Sequence, residues 1–189
     1  MKLNKIAVVK TGLVLSRKGS RIADGNYKYQ QLNLKSIDEN GIIDLNETIP
    51  FYTSEPLNDN YLTHAGDVVV KTSEPYTAAY ITNDAKGLVS PSHFVVVRVS
   101  DNKALPQYIS WYLNKDRIKK DFRMSCTGML KQIRPSMVAE TEIKLPVLER
   151  QRRVVELYDL SRREIQLLEK LMRQKKVYYK ALISKANQR

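Results

Sequence analysis

The sequence predicts an α+β fold, a small mixed β-rich domain with packed helices followed by one long C-terminal coiled-coil helix. Three observations carry that expectation. Through the first hundred residues, alternating or β-branched runs lie between clusters of turn formers. After Pro106 the apolar period lengthens from two to that of a helix, and from Glu149 onward a heptad runs without interruption. The division falls after Leu148, giving units of 1–148 and 149–189.

Taken in order, Tyr27-Lys28-Tyr29-Gln30-Gln31-Leu32-Asn33-Leu34 alternates and is fenced by Asp24-Gly25-Asn26 and Asp38-Glu39-Asn40-Gly41, so it reads as a strand between turns. Glu47 to Tyr52 reads as a second strand, ending before Pro56. Asp67-Val68-Val69-Val70-Lys71 is β-branched and follows Ala65-Gly66, the pattern of a buried strand. Ala78–Ile81 and Phe94–Val99 complete the set, separated by Asn83-Asp84-Ala85-Lys86-Gly87. Pro106 suits the first turn of a helix, and Tyr108, Ile109, Tyr112, Leu113, Ile118 and Phe122 form one face through Arg123. Ser125 to Pro135 reads as a loop and Glu142–Leu145 as a short strand stopped by Pro146.

In the last segment Val154, Tyr158, Ser161, Ile165, Leu168, Met172, Lys175, Tyr179 and Leu182 follow one another at alternating spacings of four and three. All but Ser161 and Lys175 are apolar or aromatic, and Leu157, Leu167, Leu171 and Tyr178 widen the stripe. A seam repeating every seven residues belongs to a helix that packs lengthwise on another helix. At ~1.5 Å per residue it outruns a domain of this size, so part of the stripe needs a partner. The two polar seam positions suit the setting of register or orientation.

Charge narrows the class of partner. Thirty-two Lys and Arg against twenty Asp and Glu leave +12 on 189 residues, and the segment from Glu149 carries +7 of it. Both parts are basic, which points to nucleic acid. A single cysteine, Cys126, excludes a disulfide framework and fits a reducing cytoplasm. No run approaches the length of a membrane span, and Met1-Lys2-Leu3-Asn4-Lys5 leads into no signal-peptide core.

The motifs of catalysis are missing or incomplete. The seven glycines never fall two or five apart, which excludes both a dinucleotide-binding G-x-G-x-x-G and a Walker A loop. No two prolines are adjacent, so the Pro-Pro loop with which amino-methyltransferases hold a flipped base is not present. His64, His93 and Cys126 are too few and too scattered for a His/Cys zinc site. Ser92-His93 lacks an orienting carboxylate, and Glu142-Ile143-Lys144 matches only half of a metal-dependent nuclease motif, on a strand whose Ile and Leu face the core. No catalytic residue, metal ligand or cofactor is expected.

Five segments in order carry a family resemblance. Ala65-Gly66-Asp67-Val68-Val69-Val70-Lys71-Thr72 resembles a strand of the target recognition domains of type I restriction-modification specificity subunits. Ser90-Pro91-Ser92-His93-Phe94-Val95-Val96-Val97-Arg98 resembles their next strand, and Pro106-Gln107-Tyr108-Ile109-Ser110-Trp111-Tyr112-Leu113-Asn114 their helix. Thr127-Gly128 followed by Ile133-Arg134-Pro135-Ser136-Met137-Val138 is similar to their Thr-Gly loop. The most specific is Glu142-Ile143-Lys144-Leu145-Pro146-Val147-Leu148-Glu149-Arg150-Gln151-Arg152-Arg153-Val154-Val155, which resembles the lead-in to their spacer helix. Arg150 stands where Glu is commoner, and Val147 replaces a second proline.

The resemblance implies a half-length specificity subunit, with a target recognition domain over 1–148 and a dimerisation or spacer helix over 149–189. Complete family members have two of each, with the long helices antiparallel. It further implies a non-catalytic, cytoplasmic, membrane-free protein that reads double-stranded DNA for methyltransferase subunits, with restriction subunits as further partners, and that pairs as a homodimer or with another half-subunit. Phosphate contacts then supply affinity and base-edge contacts supply sequence choice. The candidate readers are Arg17, Lys18 and Arg21 around Gly19; Tyr29, Gln31 and Asn33, sharing a strand face with Tyr27; Lys71 and Ser73, and Ser92 and His93, at strand ends; and Lys131, Gln132 and Arg134. Val154, Tyr158, Ile165, Leu168, Met172, Tyr179 and Leu182 are the candidate dimerisation residues. A stand-alone basic nucleic-acid-binding regulator that dimerises by its coiled coil is the alternative of a different class, and a small nuclease a distant third.

Overall fold

The computed structural model describes residues 1–19, 26–126 and 131–187. It is α+β, as the sequence predicts, with two compact units, Met1–Arg152 and Arg153–Arg189. The first unit is built on a four-stranded sheet in the order β1 (Ala7–Thr11), β6 (Phe94–Val99), β4 (Asp67–Lys71), β5 (Ala78–Tyr80). Each neighbouring pair is antiparallel. A separate antiparallel pair joins β2 (Tyr27–Gln31) to β3 (Ile49–Thr53).

β4 and β6 occupy the middle of the sheet, and all five residues of β4 are buried. Val69 and Val96 pack with Leu32, Ile37, Ile81, Leu88 and Phe94. By the two-residue alternation of a strand, Val68, Val70, Val95 and Val97 are buried on the other face. That continuous valine run is why these two strands are legible in the sequence. At one end of β4, Asp67 faces Arg98 of β6 across the ladder, and the guanidinium donates to both carboxylate oxygens at 2.8 and 2.7 Å. A buried carboxylate is tolerable only with such paired, charge-assisted donors.

Four expectations need correction. The helix from Pro106 is two helices, α1 (Pro106–Leu113) and α2 (Asp116–Ser125). The break falls at Asn114, whose side chain accepts the Ala78 N–H and donates to the Ala78 carbonyl, at 3.0 and 2.7 Å. The first strand stops at Gln31, because Asn33 caps the short 3-10 helix Leu34–Ser36. The stretch read as a loop from Ser125 ends where α3 (Pro135–Ala139) begins, a helix the sequence reading left out, with proline in its first turn. Glu142–Leu145 is no strand: Glu142 forms an isolated bridge with Lys2, Met1 and Ile143 exchange hydrogen bonds, and the Lys144 carbonyl accepts the Tyr108 hydroxyl. β1 is an element that the sequence reading did not anticipate.

The long helix α4 spans Leu148–Asn187. Gln151 is its one buried residue among those described, and it belongs to the first unit. In the second unit every residue from Arg163 to Asn187 is exposed. No helix among the described residues is long and apolar enough to cross a membrane.

Candidate nucleic-acid interface

One short segment, Leu88 to Phe94, gathers most of the candidate readers. The 3-10 turn Leu15–Arg17 follows Leu13, whose N–H donates to the Ser90 carbonyl at 2.7 Å and whose carbonyl accepts the Ser92 N–H at 2.8 Å. Gly12 sits so close to this segment that a Cβ would lie 2.1 Å from the Pro91 carbonyl oxygen, so no other residue fits. From the second sheet, the Leu32 N–H donates to the Val89 carbonyl at 3.0 Å and the Val89 N–H to the Gln30 carbonyl at 2.8 Å. Thr72 donates to the His93 carbonyl through its N–H at 3.0 Å and its hydroxyl at 3.1 Å. The Ile133 N–H in turn donates to the Thr72 carbonyl at 2.8 Å. Residues far apart in sequence are thereby stitched to the one segment that leads into β6.

The side chains at this locus differ in their freedom. Arg17, Lys18, Ser92, Lys131, Gln132 and Arg134 are exposed, and Lys18 makes a loose ion pair with Glu55 at 3.8 Å. Ser73, Gln31 and His93 are half-buried. Gln31 Oε1 and His93 Nε2 are buried and find no hydrogen-bond partner among the described residues. The His93 ring rests on Phe94 with 4.8 Å between centroids, and burial holds its pKa below the ordinary imidazole value. Neutral imidazole offers one donor and one acceptor.

Three candidates are engaged by the fold. Lys71 is only 8% exposed, and its ammonium donates to the Ile37 carbonyl at 2.6 Å; burial depresses its pKa. The Asn33 side chain accepts the N–H groups of Lys35 and Ser36 and donates to the Glu47 carbonyl. The Tyr29 hydroxyl accepts the Leu57 N–H at 3.0 Å, and its ring joins the cluster of Leu13, Phe51 and Val89. Arg21 lies outside the described residues.

Tyr76 is a residue that the sequence reading missed. It is fully buried, packs edge-on against Phe122 at 6.1 Å, and its hydroxyl donates to the Lys131 carbonyl at 2.9 Å. Burial and the neighbouring Cys126 push its pKa up to about 12. The one signal available was an aromatic directly after Pro75 in a polar turn.

Of the seam residues, Ile165, Leu168, Met172, Tyr179 and Leu182 are exposed, and Val154 and Tyr158 are half-buried. The Arg162 guanidinium lies 5.2 Å from the centre of the Tyr158 ring. The large apolar side chains from Leu160 to Ile183 are between 42% and 71% exposed. Within the second unit these side chains are in contact with water along the whole length of the helix. Among the described residues no three His, Cys, Asp or Glu gather as metal ligands would.

Residues 1–174 match the family described as Type I restriction modification DNA specificity domain. Among solved structures, the chain is similar to one from work on complex assembly and conformational transition of the type I R-M system, with 18% identity and a TM-score of 0.69. It is similar also to the HsdS subunit from Thermoanaerobacter tengcongensis, with 19% identity and a TM-score of 0.66. A third likeness is to the type I restriction-modification system S subunit from M. genitalium, with 14% identity and a TM-score of 0.54. In all three, 90% of this chain is covered, against 43%, 43% and 40% of the other. The chain thus spans less than half the length of these relatives. No curated protein matches it in sequence.

Proposed function

We propose a function from one premise: this chain belongs to the Type I restriction modification DNA specificity domain family. Its first unit is a target recognition domain that reads duplex DNA in the cytoplasm, and α4 is the spacer helix through which it pairs. The observation that carries this reading is the gathering of polar segments around Leu88–Phe94, in a protein of +12 charge. Arg17, Lys18, Lys131 and Arg134 supply cations for phosphates, and Gln132, Ser92 and His93 supply the donors and acceptors that base edges require. Catalysis is left to methyltransferase subunits, which bring the cofactor, and a restriction subunit joins them where cleavage occurs.

The pairing follows from α4. Its five acidic residues all lie between Glu149 and Glu169, whereas from Lys170 to its end six basic residues occur with no acid. Two copies packed in parallel set +6 against +6; packed antiparallel, each basic end meets the acid-bearing half of the other. Charge therefore favours the antiparallel pair, and the apolar seam drives it at ~25 cal/mol per Å² buried. Two-fold symmetry of the pair imposes two inverted half-sites with an unread gap.

Selection from a pool of randomised duplexes, read by sequencing, tests the reading. The full chain is expected to enrich one short motif and to lose affinity steeply with salt. Salt-sensitive binding with no enriched motif would instead favour a general nucleic-acid binder.

A further inference from the structure

Among the described residues, two that are not glycine adopt a left-handed backbone, Tyr76 at φ +54° and Lys131 at φ +36°. They are bonded to each other, since the Tyr76 hydroxyl donates to the Lys131 carbonyl at 2.9 Å across 55 positions of sequence. Left-handed backbone is unfavourable for residues with a Cβ, and it persists only where the surroundings over-determine it. Here the surroundings do. Tyr76 N–H donates to the Ser73 carbonyl at 2.9 Å, closing the turn, and the ring is sealed against Phe122 with no exposure. Its hydroxyl also lies 3.8 Å from Cys126 Sγ, so it touches residues on both sides of positions 127–130. One residue further on, the Ile133 N–H donates to the Thr72 carbonyl at 2.8 Å, and the Ile133 side chain is buried.

Residues 131–134 thus hang from the Thr72–Tyr76 segment by two bonds of different kinds. Lys131, Gln132 and Arg134 remain exposed, and their own side chains contribute neither bond. We infer that Tyr76 is a positioning residue for sequence recognition: buried and out of reach of DNA, it sets through its hydroxyl the place and direction of Lys131, Gln132 and Arg134. The inference rests on the DNA-reading function proposed above. A reader displaced by an ångström keeps its attraction to phosphate, which is long-ranged, but loses a bidentate base contact, which is not. Tyr76 therefore governs which duplex is bound more than how tightly duplexes bind in general. Because its pKa is pushed up to about 12, the hydroxyl remains a donor across the range in which the protein would be handled.

The variant Tyr76→Phe keeps the ring and removes only the hydroxyl. Thermal melting should stay within a few degrees of the parent, which guards against a merely damaged fold. Amide exchange at Ile133, whose N–H is bonded to the Thr72 carbonyl, should quicken roughly tenfold, the scale of one lost hydrogen bond, while amides of Phe94–Val97 are unchanged. In selections from randomised duplexes, the ratio of affinities for the enriched motif and for unrelated duplex should fall roughly tenfold, with the salt dependence on unrelated duplex intact. Unchanged exchange would overturn the positioning role. Faster exchange with an unchanged motif ratio would overturn its part in recognition. A parent protein that enriches no motif would overturn the reading function itself, and the exchange result would still stand as a measure of the tether.

Discussion

The side chain of Gln151, buried at the start of α4, accepts the backbone N–H of Leu105 at 2.9 Å. Leu105 is the N-cap of α1 and has no side-chain cap of its own, so the glutamine satisfies a donor that the helix start would leave orphaned. The amide nitrogen of Gln151 meanwhile donates to the carbonyls of Lys103 and Pro146, both at 2.7 Å. One side chain thus fixes the beginning of the long helix to the beginning of a short one.

Replacing Gln151 by Ala leaves the half-buried Leu105 N–H and the Lys103 and Pro146 carbonyls without this partner at once. Chemical denaturation of the variant should show a loss of roughly 2–4 kcal/mol, at about 1 kcal/mol for each of the three groups. A loss below about 1 kcal/mol would mean that water replaces the amide and that the anchor is dispensable.

Lys71 and the Arg17–Lys18 pair should separate cleanly in a salt titration. The ammonium of Lys71 is engaged on the Ile37 carbonyl inside the domain, so Lys71→Met should leave the slope of log affinity against log salt unchanged. Replacing Arg17 and Lys18 together by Ala should flatten that slope by about 1.8, because each phosphate contact contributes about 0.9. An equal effect from both variants would show that Lys71 reaches the DNA after all.

His93 should make the fold acid-sensitive. Burial lowers its pKa, so the unfolded chain binds the proton more readily than the folded one. Stability is therefore undiminished above the ordinary value of about 6.5 and is lost as pH falls from there through the lower folded value. Denaturation midpoints at about pH 7.5 and about pH 5 should fall further for the parent than for His93→Gln, with the difference confined to the acid arm. Parallel pH profiles would mean that the imidazole is solvated.

Dimerisation should depend on the seam. Light scattering of the full chain at micromolar concentration should give twice the mass of a 21.8 kDa chain, and Leu168→Lys with Met172→Lys should return it to one. An unmixed parent that stays monomeric would assign the apolar face to a different helix.

The legible parts of the fold were those in which local pattern and tertiary environment agree. The valines of β4 and Val95–Val97 of β6 are β-branched and buried on both faces, so composition alone reveals them. The heptad of α4 is equally plain, because nothing but helix period shaped it. What sequence hid were decisions taken by distant partners. No glycine or proline announces the break after α1; Asn114 turns there because the backbone of Ala78 on β5 offers both a donor and an acceptor. β1 escaped notice as an outer strand whose Val8 is 58% exposed, so its apolar alternation is imperfect. In the candidate site, the exposed Arg17, Lys18, Lys131, Gln132 and Arg134 could be named from polarity. That Lys71 and Asn33 are spent on the fold could not, since a lysine and an asparagine look the same in sequence whether they meet a carbonyl or a solvent. Tyr76, carrying no charge and no motif, had only its place directly after Pro75 to mark it.

The most direct measurement is the map of methylated adenines in cells that carry the cognate methyltransferase subunits with and without this chain. With it, methylation should fall on one motif made of two inverted half-sites around a fixed unread gap, and the motif should vanish when the chain is deleted. In the Tyr76→Phe strain the same methyltransferase should mark that motif less completely. Methylation unchanged by deletion would contradict the specificity role outright, and a continuous, asymmetric motif would contradict the pairing of two identical copies.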